Sequence, residues 1–198
     1  RAQDHLVQVV TYGERKNREP GVEVISRHHS VLVRYFSYAR MIRSMLRSDV
    51  EVYATDVFSV GIPTRLALMG RPDIRFTIRL GGEWCWEDAV NNGVWLTLKE
   101  FWSQPDTFKR KLMRWNYRWI LGRADSVVVT TKLLQGVLSE YKLVPHPERV
   151  VVEKNAFYLE GDPRHPGAAT SAITRFTYVG RFAPVKNIPF LARVLRKL

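Results

Sequence analysis

Short runs rich in valine and isoleucine alternate with helical patterns along most of the chain, and this alternation constrains the fold more than any other feature. The predicted strands cover residues 6–11, 22–25, 50–55, 75–80, 126–131, 149–153 and 175–179. Apolar residues three and four positions apart predict helices over residues 35–47, 63–69, 107–121 and 132–141, and a further helix from residue 188. Because strands that alternate with helices form parallel sheets covered by helices, the sequence predicts an α/β fold.

Composition excludes several classes of protein. With 198 residues, of which 45% are hydrophobic and 25% charged, the chain is that of a globular protein with one substantial core. Its single cysteine, Cys85, cannot form an internal disulfide, and no cysteine and histidine cluster has the spacing of zinc ligands. No stretch approaches the roughly 18 consecutive apolar residues of a membrane span, and the first residues do not resemble a signal peptide. We therefore expect a cytoplasmic protein without a metal, and leave open its attachment to a membrane surface.

The net charge of +12 favours acidic partners. Nucleotide diphosphates, anionic lipid head groups, lipid-linked phosphates and nucleic acids all fit a basic protein. Charge alone does not choose among them.

A segment rich in glycine and proline predicts a domain boundary. Residues 160–172 have no apolar period and are predicted to form a linker between a first domain, residues 1–159, and the start of a second, residues 173–198. The chain begins at Arg1 without a methionine and ends inside a predicted helix at Leu198. These features predict an internal fragment of a longer protein.

The loop between the last predicted strand and the last predicted helix has the composition of an anion site. It begins with Gly180 and Arg181 and ends with Lys186 and Asn187, which is a plausible helix N-cap. A helix N-terminus offers unpaired N–H groups, Arg181 offers a planar fork for phosphate oxygens, and Lys186 offers a mobile charge. The loop is thus a candidate diphosphate site, although a glycine turn with two solvated cations explains the same residues.

A second candidate site follows the predicted strand at residues 75–80, where ligands of open α/β sheets usually bind. Residues 81–88 combine two glycines, two indoles and three carboxylates. Indole faces can cover a sugar ring and carboxylates can accept hydrogen bonds from its hydroxyls. The candidate residues for a sugar acceptor are Gly82, Glu83, Trp86 and Glu87. Alternatively, Trp86 and its neighbour Trp84 are core residues and the carboxylates only complement a helix N-terminus.

The predicted helix at residues 107–121 separates aromatic from basic residues. One face carries Phe108, Leu112, Trp115, Trp119 and Gly122, and another carries Arg110, Arg114 and Arg118. Three interpretations stay open: an aromatic face packed into the core with a solvated basic face, attachment to an anionic membrane, and contact with nucleic acid. The His28 and His29 pair lacks partners at ligand spacing and is interpreted as a surface or core pair.

Several of these motifs resemble one enzyme family. The order of strand, Gly180-Arg181, four residues, Lys186 and amphipathic helix is similar to the opening of the second domain in family-four (group 1) retaining glycosyltransferases of the GT-B type. Residues 4–11 resemble the second strand of that family, and residues 123–131 and 149–155 resemble two later strands, with Ala156 in place of a glycine. Residues 82–87 are similar to the pattern Gly-Asp-x-x-Trp-Glu of a subgroup, with Glu83 at the aspartate position.

The resemblance implies a Rossmann-like, acceptor-side N-terminal domain that lacks its first strand, followed by the first strand and helix of a truncated second domain. It implies retaining transfer of a sugar from a nucleotide-sugar donor to a glycan or lipid-linked acceptor, in polysaccharide or glycoconjugate biosynthesis. Gly180, Arg181 and Lys186 would hold the donor diphosphate, without an essential metal or cofactor. The acidic pair of the family is expected beyond Leu198, so the fragment alone is expected to be inactive.

Two alternatives to this function stay open. The first is a basic nucleic-acid-binding module, although the resemblance implies no nucleic-acid partner. The second is a GT-B sugar-nucleotide epimerase, which would differ in its product.

Overall fold

A computed structural model describes residues 7–14, 20–155 and 183–196. The strands in these ranges are β1 (Val9–Gly13), β2 (Val22–Ser26), β3 (Glu51–Ala54), β4 (Arg75–Leu80), β5 (Ser126–Val129) and β6 (Val150–Val152). The helices are α1 (Val31–Met45), α2 (Ile62–Ala67), α3 (Trp84–Asn91), α4 (Leu98–Ser103), α5 (Phe108–Leu121), α6 (Lys132–Glu140) and α7 (Ile188–Leu195). A π-helical turn, Val57–Gly61, leads into α2, and short 3-10 turns occupy Pro147–Arg149 and Pro184–Lys186. The predicted linker and the predicted strand at residues 175–179 lie outside the described residues.

All strand pairs are parallel, which confirms the predicted α/β fold. β3, β4, β5 and β6 form one sheet in that order, and β1 pairs with β2 in a second sheet. In the common doubly wound order, the strand that precedes β1 in sequence lies between β1 and β3. The predicted lack of a first strand stays a prediction.

The core lies between the four-stranded sheet and the helices that cover it. Phe76 and Ile78 of β4 and Val127 and Val129 of β5 are fully buried, and Ile78 is paired in register with Val127. Fully burying one such aliphatic or aromatic side chain contributes about 1.5–3 kcal/mol. These central strands are buried on both faces, which is why their sequences read as nearly continuous apolar runs.

The sequence did not predict α3 and α4, which are short helices defined by their caps. Thr97 caps α4 in a reciprocal capping box with Glu100, and Glu83 caps α3. Eight and six residues are too few for a reliable helical period, so the caps were the usable signal. Some observed boundaries also differ from the predicted ones. β1 begins at Val9 rather than at residue 6, and α1 begins at Val31 rather than at residue 35.

The orientation of α5 differs from the first interpretation of its sequence. Phe108 is 85% exposed, Trp115 57% and Leu112 48%, whereas Tyr117, Ile120 and Leu121 are buried. The interpretation in which the Phe108 face packs into the core is therefore wrong. Two apolar stripes compete on this helix, and the one that includes Tyr117 fits against the sheet.

The basic face of α5 is not uniformly solvated either. The Arg114 guanidinium donates to the backbone oxygens of Trp102 and Tyr141, both at 2.8 Å, and its Nε donates to Asp106 at 3.0 Å. Arg118 remains exposed. Arg114 thus joins α5 to α4 and to the end of α6.

Candidate functional site

A cleft of about 180 Å³ opens at the carboxyl ends of β3 and β4. Both strands are followed by turns whose residues face this cleft, as expected for neighbouring parallel strands. Its wall includes Thr55, Asp56, Gly82, Trp84, Glu87 and Tyr117. The wall of the cleft thus combines two carboxylates, one indole and one phenol with glycine backbone.

Gly82 and Glu87, two of the candidate acceptor residues, lie together on the wall of the cleft. The Glu87 carboxylate lies directly over the Cα of Gly82, where any added Cβ would collide with it. Glu87 stands in the first turn of α3, and its carboxylate can fold back only because the residue five positions earlier has no side chain. Glycine at position 82 therefore sets where the Glu87 carboxylate lies.

Glu83 lies beneath the cleft and is only 3% exposed. Its carboxylate accepts hydrogen bonds from the backbone N–H groups of Trp86 at 2.6 Å and Cys85 at 3.2 Å, and from the Tyr117 hydroxyl. Burial raises the pKa of Glu83, and the hydrogen bonds from Tyr117 and the two amides partly counteract this rise. The contacts of Glu83 are those of a helix cap that fixes the start of α3.

Tyr117 and Cys85 remain protonated beside Glu83. Burial is the main cause that raises the pKa of both groups, and the nearby Glu83 charge raises each pKa further. Tyr117 is therefore a hydrogen-bond donor. Cys85 is a buried neutral thiol, which is unreactive as a nucleophile.

The two indoles after β4 have different environments. Trp84 is 47% exposed, lines the cleft, and packs on Phe58 with ring centroids 4.9 Å apart. Trp86 packs against the core, and its indole N–H donates to the backbone oxygen of Leu96 at 2.7 Å. The structure therefore places Trp84, rather than the predicted Trp86, on the wall of the cleft.

Asp56 is a cleft residue that the sequence analysis missed. It caps the π-helical turn by accepting hydrogen bonds from the Ser59 N–H at 2.6 Å and the Ser59 hydroxyl. The available signal was an aspartate directly after a strand with a serine three residues later, which is a helix-start pattern. Capping fixes this carboxylate at the mouth of the cleft.

The β1–β2 sheet reaches this region through tyrosines. The Tyr12 hydroxyl donates to the backbone oxygen of Ser59 at 2.9 Å, and the Tyr12 and Tyr38 rings lie 5.1 Å apart. Burial, with a smaller effect of the Asp56 charge, raises the pKa of Tyr38 to about 12, so its hydroxyl stays protonated and donates to the Val10 oxygen. This contact fixes α1 against β1.

Only part of the predicted diphosphate loop can be located. Gly180 and Arg181 lie outside the described residues, whereas Lys186 is exposed in the turn Pro184–Lys186. The backbone N–H of Val185, next to Lys186, donates to the Asn91 side-chain oxygen of α3 at 3.4 Å. Lys186 therefore lies near the C-terminal end of α3, whereas the cleft lies at the start of that helix. Asn187 occupies the N-cap position of α7 with φ of 46°, but its side chain makes no capping bond.

Other residues singled out from the sequence take structural or surface positions. The Asn155 side chain accepts a hydrogen bond from Arg79 at 2.8 Å, so it ties the end of β6 to β4. His28 and His29 are exposed. In the described ranges, no three acidic, cysteine or histidine side chains come together as metal ligands. Within the same ranges, no helix combines the length and apolar character needed to cross a bilayer.

Comparison with protein families assigns this arrangement. The family model for the glycosyl transferase 4-like domain matches residues 1–155. The chain belongs to this family. A search of curated proteins gives no match. Membership in the glycosyl transferase 4-like family makes this chain a glycosyltransferase domain, which acts on a sugar donor and an acceptor, and it agrees with the parallel α/β fold.

Proposed function

We propose that this glycosyl transferase 4-like domain binds the acceptor in the cleft at the ends of β3 and β4 and receives the sugar from a nucleotide-sugar donor. The observation that carries this proposal is the convergence of Asp56, Trp84 and Glu87 on one cleft of a glycosyltransferase domain. Each of these side chains is fixed by a cap, a ring contact or a glycine.

The chemistry of the cleft suits a sugar. Carboxylates accept hydrogen bonds from hydroxyl groups, and Asp56 and Glu87 supply two of them on the wall of the cleft. The exposed Trp84 ring offers a flat apolar surface to the apolar face of a sugar ring. A volume of about 180 Å³ is below the roughly 300–1,000 Å³ of pockets that enclose drug-sized ligands. The cleft therefore fits one end of an acceptor better than a whole nucleotide sugar.

The donor diphosphate would bind to the loop that contains Gly180, Arg181 and Lys186. Lys186 is exposed, as a residue that contacts a phosphate has to be, and its turn contacts Asn91, the last residue of α3. The two cations would neutralise the charge that develops on the departing diphosphate, a stabilisation that acts mainly in the transition state. In this mechanism the nucleotide sugar is a substrate, and no metal or other cofactor takes part.

The finer assignments follow from the resemblance. Transfer proceeds with retention of the anomeric configuration, to a glycan or lipid-linked acceptor in polysaccharide or glycoconjugate biosynthesis.

The test compares Glu87→Gln with Asp88→Asn in a transfer assay with labelled nucleotide sugars. Both substitutions remove one negative charge from α3, but Asp88 does not line the cleft. Loss of a hydrogen bond to a charged group costs about 1.5–3 kcal/mol, so kcat/KM for the acceptor should fall about 10- to 100-fold for Glu87→Gln only. Equal kinetics for the two variants would contradict the placement of the acceptor site in this cleft. Label that stays in an altered nucleotide sugar, without transfer, would instead identify an epimerase.

A further inference from the structure

The outer side of α5 carries a continuous aromatic and aliphatic ridge. We define the α5 ridge as Phe108, Leu112, Trp115 and Trp119. At 3.6 residues per turn these four positions fall within about 60° of one another and extend over about 16 Å of helix. Phe108, Leu112 and Trp115 are exposed, and Trp119 is partly exposed. Among the described residues, no other element packs over the three exposed members of the ridge.

The ridge is held outward by the opposite face of the same helix. Tyr117, Ile120 and Leu121 are buried, and Tyr117 is hydrogen-bonded to Glu83. Trp115 and Trp119 stack with centroids 5.8 Å apart, and the Arg65 guanidinium of α2 lies over the Trp119 ring at 5.3 Å. Rolling α5 to hide the ridge would expose its core face, so the ridge is a fixed surface feature.

Cations flank the α5 ridge along its length. Lys111 and Arg118 lie on one side and Lys109 on the other, and all three are exposed. Lys111 and Arg118 have no ion pair with any described residue, whereas Arg114 of the same helix is held by Asp106 and two backbone oxygens. The two arginines, one turn apart, therefore differ: Arg114 is structural and Arg118 is available to a ligand.

We propose that the α5 ridge docks on an anionic phospholipid bilayer. Phe108, Leu112 and Trp115 enter the boundary between head groups and acyl chains, while Lys111, Arg118 and Lys109 contact head-group phosphates. Aromatic and aliphatic side chains flanked by lysine and arginine are the composition of helices that lie in a membrane interface. This proposal goes beyond the sugar-binding cleft and does not depend on it.

The composition of the ridge favours a bilayer over nucleic acid. Single strands bind in basic grooves where bases stack on rings. Trp115 and Trp119 line an open groove of about 570 Å³ with Lys111, Arg114 and Arg118, but these two rings already stack on each other. Phe108 and Leu112 lie outside that groove. Leu112 adds aliphatic area that cannot stack with a base but contributes to burial in lipid.

The test measures co-sedimentation of the full chain with vesicles of phosphatidylcholine, alone or in an equimolar mixture with phosphatidylglycerol. We expect binding only to the mixed vesicles. Phe108→Ser/Trp115→Ser should weaken it about tenfold or more, because two interfacial aromatic groups are lost. The matched control is Leu32→Ser/Phe36→Ser on α1, whose side chains are each 70% exposed. Equal weakening by the two double variants would overturn the assignment to α5.

A second pair of variants separates local charge from net charge. Lys111→Gln/Arg118→Gln should weaken binding to the mixed vesicles roughly thirtyfold, given about 1 kcal/mol for each cation near an anionic surface. Arg40→Gln/Arg47→Gln removes the same charge from exposed positions in α1 and just after its end, and should have a much smaller effect. Equal losses would show that net charge alone drives binding and would overturn the proposal.

Insertion can also be measured without disrupting the ridge. Brominated acyl chains should quench tryptophan fluorescence of the unmodified chain, and Trp115→Phe should reduce that quenching while vesicle binding persists. Unchanged quenching in Trp115→Phe would contradict insertion of the ridge. Binding to a single-stranded oligonucleotide that is lost in Phe108→Ser/Trp115→Ser, without vesicle binding, would assign the surface to nucleic acid instead.

Discussion

The Tyr117 hydroxyl donates a hydrogen bond to the buried carboxylate of Glu83, 34 residues earlier in the chain. This bond joins the core face of α5 to the residue that starts α3. The two ends of the contact lie next to the cleft, since Tyr117 and Gly82 both line it. The geometry of the cleft therefore depends on a polar contact within the core.

Replacing Glu83 with alanine should destabilise the domain by roughly 2–4 kcal/mol. The change removes a helix cap, worth about 1 kcal/mol, and leaves the buried Tyr117 hydroxyl without an acceptor, which costs about 1–3 kcal/mol. Urea unfolding monitored by circular dichroism measures this difference. Thr107→Ala removes only the exposed cap of α5 and should cost about 1 kcal/mol. A loss no larger than that of Thr107→Ala would contradict the role of the Tyr117 contact.

Glu83 should also make stability depend on pH. Its folded pKa is raised above the unfolded value near 4.5, so the folded state retains this proton more strongly. The resulting stabilisation is complete below the unfolded pKa and is lost as pH rises through the raised folded pKa. The difference in unfolding free energy between the unmodified chain and Glu83→Gln should therefore shift in favour of Glu83→Gln as pH rises. A difference that is constant with pH would show that the carboxyl pKa is not raised.

Gly82→Ala should impair acceptor binding with little effect on folding. The new Cβ meets the flexible end of Glu87, which can move aside at small cost in stability. Displacement of a substrate-positioning group by about 1 Å can reduce kcat/KM on the order of a hundredfold, so we expect a loss of at least tenfold. Gly81→Ala is the comparison, because its Cβ meets no atom within 4 Å. Equal losses in the two variants would attribute the effect to cleft volume rather than to Glu87.

Arg114→Ala and Arg118→Ala should differ sharply in stability. Arg114 makes three hydrogen bonds across α4, α5 and the end of α6, and its loss should cost about 2–3 kcal/mol. Arg118 is exposed, and its loss should stay within about 0.5 kcal/mol. Thermal unfolding of the two variants measures the contrast. Similar unfolding temperatures would mean that the Arg114 contacts contribute nothing in solution.

Arg181→Ala and Lys186→Ala test the proposed donor loop in the intact protein. Each should lower kcat/KM for the nucleotide sugar about 10- to 100-fold, because a charge-assisted contact to phosphate is worth about 1.5–3 kcal/mol. Arg193→Ala, on the exposed part of α7, is the control for loss of a nearby positive charge. Unchanged donor kinetics in Arg181→Ala would contradict the assignment of Arg181 to the donor site.

The strands of the main sheet could be predicted because strands that are buried on both faces have nearly continuous apolar sequences. The bounds Arg75–Leu80 of β4 were predicted as observed, and β5 begins at the predicted Ser126. α3 and α4 were missed because each helix has only about two turns, which is too short to show an amphipathic period. Their start signals were the caps Glu83 and Thr97, which also occur in loops.

Within the cleft, the sequence could indicate which residues lie together only where they are close in the chain. Gly82 and Glu87 lie together because they belong to one turn and one helix. Asp56 and Tyr117 were missed because they belong to other segments of the chain, 26 residues before and 35 residues after Gly82. Trp84 and Trp86 could not be told apart from the sequence, since only the contact of Trp86 with Leu96 decides which indole turns inward.

The α/β class of this protein, its basic charge and the chemical types of residue that follow β4 could all be established from the amino-acid sequence. These are properties of composition and local spacing. Tertiary structure decided which stripe of α5 is buried, because two apolar stripes of similar strength compete and only packing against the sheet distinguishes them. It also decided that Glu83 caps a helix in the core while Asp56 and Glu87 reach the cleft, because the burial of a carboxylate depends on neighbours that are distant in sequence.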